Sequence, residues 1–248
     1  MPIEFRNIEK AFGPKVVLDD VSIDVRDGEC FFVIGGSGVG KSVLIKHVVG
    51  LLRPDAGEIL LDGQEVSRLS ESELAPVRKK CAMVFQNSTL FDSMSCVENV
   101  ALPLRMHKGL SMRDALAQAR ARLEQVHMES FGDRFPAELG DGMRKRVAIA
   151  RALTLEPRYV LFDEPTTSLD PVSARRVDQM IRELCDRAGL TAIVVSHDLE
   201  SIFTIADRIA MLYQGKVRIV GTPQQLRDTE DPVVRQFVEG RAEGPYQT

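Results

Sequence analysis

Residues 35–42 read "GGSGVGKS", between the apolar run "ECFFVI" and the run "KSVLIKHVVGLL". The spacing G-x-x-x-x-G-K-[ST], after a buried strand and at the start of a helix, commits this part of the chain to a strand–loop–helix unit. Glycines let such a loop curl until several N–H groups point at one phosphate chain. The helix N-terminus adds partial positive charge at the same place. Lys41 can then reach β- and γ-phosphates, and the Ser42 hydroxyl can ligate Mg²⁺. The candidate phosphate-binding residues are Gly35, Gly36, Ser37, Gly38, Val39, Gly40, Lys41 and Ser42.

The rest of the chain fits around that unit. "VVLDDVSIDVRDGECFFVIG" predicts strand, turn at Asp27-Gly28, and buried strand. The helix that follows is stopped by Pro54. "GEILLDG", "CAMVFQ", "YVLFDEP" and "TAIVVSHD" predict four further strands. A helix is expected from about 171 to 188, with Asp170 as N-cap and Pro171 at the first helical position. Ser111 to Asp114 predicts a capped start for "MRDALAQARARLEQV", and 222–225 opens a final short helix. "RIAMLYQGKVRIVG" predicts a hairpin around Gln214-Gly215. Strands alternating with helices imply a largely parallel α/β sheet with helices on both faces. The mostly helical stretch from about 92 to 156 interrupts the alternation and reads as an inserted helical subdomain, with 1–91 and 157–248 forming the core of a single domain.

Polar groups collect at the predicted strand ends. "YVLFDEP" closes on adjacent acids, Asp163 and Glu164, which is costly in a buried strand unless they meet a cation or water. Asp163 suits a Mg²⁺ partner of Ser42, and Glu164 a general base on an attacking water. Neighbours on a strand point opposite ways, so the two acids can hold different roles. His197 ends "VVSH" where open α/β sheets gather ligand groups, and could hold Glu164 and the water in line with the γ-phosphate. Gln86 ends "CAMVFQ"; its amide can touch Mg²⁺ or water and follow the next segment. His47, His107 and His127 lack such company and read as structural.

Composition excludes several classes. The net charge of −4 gives no reason to expect nucleic-acid binding. No apolar run approaches the roughly 18–20 residues needed to span a bilayer. The start "MPIEFRNIEK" has neither a signal-peptide core nor transit-peptide character. Cys30, Cys81, Cys96 and Cys185 lie far apart with no CxxC, so neither a zinc site nor a disulfide framework is expected; they read as reduced thiols in the cytosol.

With these residues in hand, nearly the whole chain resembles the ATPase subunit of ABC transporters, the motifs falling in that family's order. "GGSGVGKS" looks like Walker A, "MVFQ" the Q-loop, "ELGDGMRKRVAIARAL" the signature, "VLFDEP" Walker B, "TSLDP" with Asp170 the D-loop, and "SHD" the switch histidine. Phe12 in "KAFG" sits where the family stacks an aromatic on adenine. The resemblance implies a P-loop NTPase fold: an ABC ATPase core with a mostly parallel sheet, N-terminal antiparallel strands and an inserted helical subdomain. The stretches at 40–60, 90–105, 137–153 and 231–240 look like ATPases of the maintenance-of-lipid-asymmetry and toluene-tolerance type, which energise phospholipid movement in Gram-negative envelopes. That implies ATP and Mg²⁺, a homodimer, an integral membrane permease, a periplasmic MCE-domain lipid-binding protein, often a STAS-domain protein, and a peripheral place on the cytoplasmic face of the inner membrane. In such pairs ATP lies between Walker A of one subunit and Gly140, Asp141, Gly142, Met143 and Asp170 of the other. The segment after Gln86 would receive the permease's coupling helix.

The signature departs from Leu-Ser-Gly-Gly. It reads Leu139-Gly140-Asp141-Gly142-Met143, so the serine that would bond the partner's γ-phosphate is missing and an acid replaces a glycine. If Asp141 faced the phosphate, two like charges about 4 Å apart would cost on the order of 4 kcal/mol at an effective dielectric near 20. The favoured expectation is that Asp141 turns back as N-cap of its own helix, with Arg144, Lys145 and Arg146 offsetting its charge or lying on a solvated face. Three other functions stay open beside lipid transport. They are import of a polar solute, a non-transport role on ribosomes or DNA, and a regulatory nucleotide module with little turnover. One ATP site, no heptad run and negative charge argue against the second.

Overall fold

The computed structural model describes residues 2–246. In chain order its strands are β1 (Ile3–Phe12), β2 (Lys15–Val25), β3 (Cys30–Ile34), β4 (Ala56–Leu61), β5 (Gln64–Glu65), β6 (Cys81–Val84), β7 (Tyr159–Asp163), β8 (Thr191–Val195), β9 (Arg208–Tyr213) and β10 (Lys216–Gly221). The α-helices are α1 (Lys41–Val48), α2 (Glu71–Lys80), α3 (Cys96–Lys108), α4 (Met112–Gln125), α5 (Asp141–Leu153), α6 (Pro171–Ala188), α7 (Leu199–Ile205), α8 (Pro223–Arg227) and α9 (Pro232–Glu239).

The central sheet runs β10-β9-β3-β8-β7-β6, parallel from β9 to β6 with β10 antiparallel at one edge. Strands β3, β7 and β8 are buried at every position, which is why they read as continuous apolar runs. The pleat still sorts their side chains. Phe32, Phe162 and Val194 enter the core shared with α3, α4, α5 and α6. Phe31, Val33, Tyr159, Leu161, Ile193 and Val195 enter a second core with α1 and the antiparallel sheet β2-β1-β4-β5. That alternation decides where the strand ends aim their polar residues.

Local signals held where the chemistry was simple. Gln214 (φ 49) and Gly215 (φ 77) both take left-handed conformations in the β9–β10 turn, as a two-residue hairpin requires. Asp170 caps α6 by accepting from the Ser173 N–H at 3.0 Å, and Ser111 caps α4 from Asp114 at 3.2 Å. Between β6 and β7 the described chain forms α3, α4, α5 and two short 3-10 turns, with no strand. The four cysteines are free and buried. No described helix is long and apolar enough to cross a membrane.

Several elements were not read from the sequence. In β1, register shifts and a left-handed Asn7 break the two-residue period. Helix α2 is polar and carries Pro76 inside it, so its pattern is faint; the Ser70–Glu73 capping box holds its start. Helix α7 begins directly after the strand-end histidine, capped by Asp198. The last helix is α9, one beyond the α8 that the sequence led us to expect as final.

Candidate functional site

The loop 35–42 leaves β3 and enters α1. Gly35 and Gly40 hold φ values of 140° and 102°, which L side chains rarely adopt. They also lack room: a Cβ would stand 2.3 Å from the Leu212 carbonyl oxygen at Gly35, and 2.7 Å from Leu18 Cδ2 at Gly40. Gly40 is the N-cap of α1 and no side chain caps that helix start, which leaves its first N–H groups to a ligand or water. Lys41 is 7% exposed, and its Nζ donates to the carbonyls of Gly35 (2.9 Å) and Gly36 (2.8 Å). Burial lowers the Lys41 pKa, opposed by the Glu164 and Asp163 carboxylates.

Period-two alternation in β7 sends Asp163 to the face of Tyr159 and Leu161, the side on which α1 packs. There the Ser42 hydroxyl donates to Asp163 Oδ1 at 2.5 Å. Lys46, one turn along α1, holds its Nζ 3.8 Å from Asp163 Oδ2. A hydroxyl and a carboxylate oxygen meeting at a helix start suit a hard divalent cation that takes its remaining ligands from phosphate and water, so the donor set fits Mg²⁺.

Glu164 leaves the strand in a left-handed conformation (φ 52), uncommon for a residue with a side chain. Its N–H donates to the Val195 carbonyl at 2.9 Å, and its Oε2 accepts from Thr167 Oγ1 at 2.7 Å. His197 Nδ1 lies 2.6 Å from the same Oε2, and Lys41 Nζ stands 4.0 Å from Oε1. The His197 side chain is 60% exposed, the Glu164 side chain 13%. A carboxylate shielded from bulk water, held between a hydroxyl and an imidazole, can take a proton from a water in front of it.

These groups border one cleft of about 800 Å³, with Phe12, Lys15, Val17, Gln86 and Phe237 on its walls. Phe12 is 47% exposed at the end of β1, with Lys10 Nζ 5.5 Å from its ring centre. The expected site residues Gly35, Gly36, Ser37, Gly38, Gly40, Lys41, Ser42, Gln86, Glu164 and His197 all line this cleft; Val39 packs beside it on Gly35, and Asp163 joins it through Ser42.

Asp141 lines a different cleft of about 450 Å³, shared with Arg144, Lys145 and 167–169; Gln86 borders both clefts. Here one expectation is corrected. The N-cap of α5 is Gly140, extended at φ −69°, ψ 162°, and Asp141 is the first helical residue with no capping bond. Its carboxylate is drawn instead to Arg144, which is one turn along and also donates to the Leu139 carbonyl at 2.9 Å. The basic trio is not a solvated face. Lys145 is 2% exposed and donates to the carbonyls of Phe85 (3.1 Å) and Gln86. Arg146 donates to the His127 carbonyl at 3.1 Å. Gly142 packs against α6, where a Cβ would meet Ser173 Cβ at 2.8 Å, and Met143 packs on the core. The Asp170 carboxylate is engaged as the cap of α6.

Sequence reasoning missed Lys46 and Thr167, and gave Lys145 the wrong partner. Lys46 follows Ser42 by four residues on one helix, a spacing that could have revealed it; Thr167 lies with Glu164 in a turn, where spacing gives no such signal. Lys145 opens an apolar helix run, a weaker signal.

A family model described as ABC transporter matches residues 18–167. The intermembrane phospholipid transport system ATP-binding protein MlaF of Haemophilus influenzae is 40% identical over 243 residues, covering 98% of this chain and 92% of that protein. MlaF of Escherichia coli K12 is 37% identical over 98% of this chain and 90% of its own. A probable ribonucleotide transport ATP-binding protein, mkl, of Mycobacterium leprae is 37% identical over 98% of this chain and 70% of its own. Among solved structures, a dimeric post-hydrolysis ATP-binding cassette, MJ0796, bound to ADP and Pi, superposes with a TM-score of 0.81 at 30% identity, covering 89% of this chain and 98% of that one. CbiO1 of Clostridium perfringens, part of the ABC transporter complex cbiONQ, superposes with a TM-score of 0.84 at 26% identity, covering 97% of this chain and 95% of that one.

Proposed function

Because the chain belongs to the ABC transporter family of ATPases, we propose that it powers phospholipid movement across a bacterial envelope, hydrolysing ATP in the cleft at the ends of β3, β7 and β8. The observation that carries the catalytic assignment is the convergence of Lys41, Ser42, Asp163, Glu164 and His197 there. The loop 35–42 and the α1 N-terminus hold the triphosphate, and Phe12 stacks on the base. Ser42 and Asp163 would hold Mg²⁺, which Gln86 could also touch, and the ion would supply neutralisation of charge along the phosphates. Glu164 removes a proton from water as its oxygen bonds to the γ-phosphorus and the bond to the bridging oxygen of ADP breaks. His197 keeps that carboxylate aimed, and Lys41 follows the charge on the γ-phosphate.

One subunit supplies half of each site. Gly140, Asp141, Gly142 and Met143, carried by the α3–α5 insertion, and Asp170, at the start of α6, close over the nucleotide from a second copy. ATP favours the closed pair because it binds that state better. The phospholipid assignment rests on the MlaF relatives, which this chain matches over nine-tenths of their length. An integral permease, an MCE-domain lipid-binding protein and a STAS-domain protein are the partners it implies, with the chain held peripherally on the cytoplasmic face of the inner membrane. The mkl relatives, similar at 37% identity, favour a second reading in which the cargo is a polar solute. Isolating the chain with its membrane partners separates the two: a permease with an MCE-domain protein and co-purified phospholipid supports the first, a permease with a soluble solute-binding protein the second.

A further inference from the structure

The segment 241–246 after α9 folds back onto the phosphate loop. Gly240 ends α9 in a left-handed turn (φ 63), and Gln236 then ties the segment at both ends. Its amide donates to the Arg241 carbonyl at 3.2 Å and accepts from the Tyr246 N–H at 2.6 Å. The Tyr246 ring packs against Tyr213, at the end of β9, with centroids 5.1 Å apart, and against Phe237 on α9 at 5.5 Å. Phe237 itself lines the phosphate-loop cleft.

This packing brings the Tyr246 hydroxyl against Gly36. An ideal Cβ on Gly36 would lie 2.3 Å from the hydroxyl oxygen, nearer than any real Cβ contact. Gly36 has no positive φ to account for its being glycine; the space is taken by the tyrosine. On the same peptide, the Gly36 carbonyl accepts from Lys41 Nζ at 2.8 Å. The geometry points to Tyr246 as a positioning residue for the nucleotide, a brace that holds the first turn of the phosphate loop, and through it Lys41, in its binding conformation. This inference rests on the reading that the loop 35–42 holds the triphosphate. A brace on a preformed loop acts on ground state and transition state alike, so it belongs in nucleotide affinity and KM and not in kcat.

The test is a mutant cycle on the full chain, reading the Kd for a fluorescent ATP analogue, with KM and kcat measured on the membrane complex. Gly36→Ala is expected to weaken binding at least tenfold by its clash with the hydroxyl. Tyr246→Ala is expected to weaken it three- to tenfold. Gly36→Ala combined with Tyr246→Ala should bind no worse than Tyr246→Ala alone, and kcat of the single variants Tyr246→Ala and Tyr246→Phe should stay within twofold of the native value. Tyr246→Phe keeps the ring packing and should relieve the Gly36→Ala clash, so the cycle does not depend on the alanine variant being well folded. Additive losses, or a Tyr246→Ala chain with native affinity, overturn the brace. Lys41→Ala serves as the reference: if it binds nucleotide as tightly as the native chain, the loop assignment itself fails, whereas its loss of binding beside a flat Tyr246 series removes the brace alone.

Discussion

Lys145, buried in the first turns of α5, donates to the backbone carbonyl of Gln86, the residue that borders both the phosphate-loop cleft and the cleft around Asp141. A charged donor thus joins the helix carrying the signature to the segment entered from β6. Hydrogen bonds to charged groups contribute roughly 1.5–3 kcal/mol. Lys145→Met keeps the length of the side chain and removes the donor. We expect ATP turnover by the membrane complex to fall about tenfold, a barrier change near 1.4 kcal/mol. Nucleotide affinity of the isolated chain should change less than twofold. Phosphate release and equilibrium titration check the two halves separately.

The Glu164–His197 pair gives a sharper expectation. General-base groups contribute roughly 10²–10⁴ in rate, so Glu164→Gln should lower turnover by at least a hundredfold while ATP still binds. His197→Ala, which leaves the base in place without its 2.6 Å neighbour, should cost less than Glu164→Gln. Single-turnover phosphate release measures both, and equal losses would show that His197 does more than aim the carboxylate.

The ion pair between Asp141 and Arg144 answers the charge objection to the 139–143 stretch, though not its missing serine. The Asp141 side chain is 60% exposed and its charge is matched within its own helix. Asp141→Gly should therefore change turnover less than about threefold, well short of the roughly 4 kcal/mol that an unmatched acid on the phosphate would imply. A Cβ at Gly140 would meet nothing within 4 Å, and the extended backbone there suits a capping serine. Gly140→Ser should raise the thermal midpoint slightly and turnover measurably.

Much of this was legible before any coordinates. The tight glycine turn between β3 and α1, the acids at the end of β7 and the α6 cap each follow from short-range chemistry, in which residue type and spacing fix one conformation. The interior of α5 did not follow. Arg144 is the counter-charge to Asp141 that the sequence suggested, but Lys145 and Arg146 are neither counter-charges nor a solvated face, because sequence spacing does not say that the carbonyls after β6 and α4 lie beside them. The cap of α5 was misplaced by one residue for a similar reason. Asp is a strong N-cap former, but the extended backbone falls at Gly140, and Arg144 draws the carboxylate away from the helix start. The contact between Tyr246 and Gly36 joins residues far apart in sequence and carries no local signal.

Asp178 on α6 makes stability depend on pH. It is 2% exposed; Ser201 Oγ donates to it at 2.8 Å, and Arg175 Nη1 lies 2.9 Å away. Burial raises its pKa to about 6, with the Asp198 and Glu200 carboxylates adding to the rise and Ser201 and Arg175 opposing it. Between the ordinary aspartate value and about 6 the folded chain holds a proton that the unfolded chain has released, so stability falls as pH rises through that window and levels off above it. The contribution is on the order of 3 kcal/mol. Urea unfolding of the native chain and of Asp178→Asn from pH 4 to 7 should show the native curve dropping relative to the variant; parallel curves would remove Asp178 from the account.

The most direct measurement is transfer of labelled phospholipid between vesicles by the native membrane complex reconstituted with this chain. ATP should drive transfer with the native chain, and Glu164→Gln should stop it while the complex stays assembled and binds ATP. ATP hydrolysis without lipid transfer by the native complex would contradict the proposed cargo, and undiminished transfer with Glu164→Gln would contradict the proposed site.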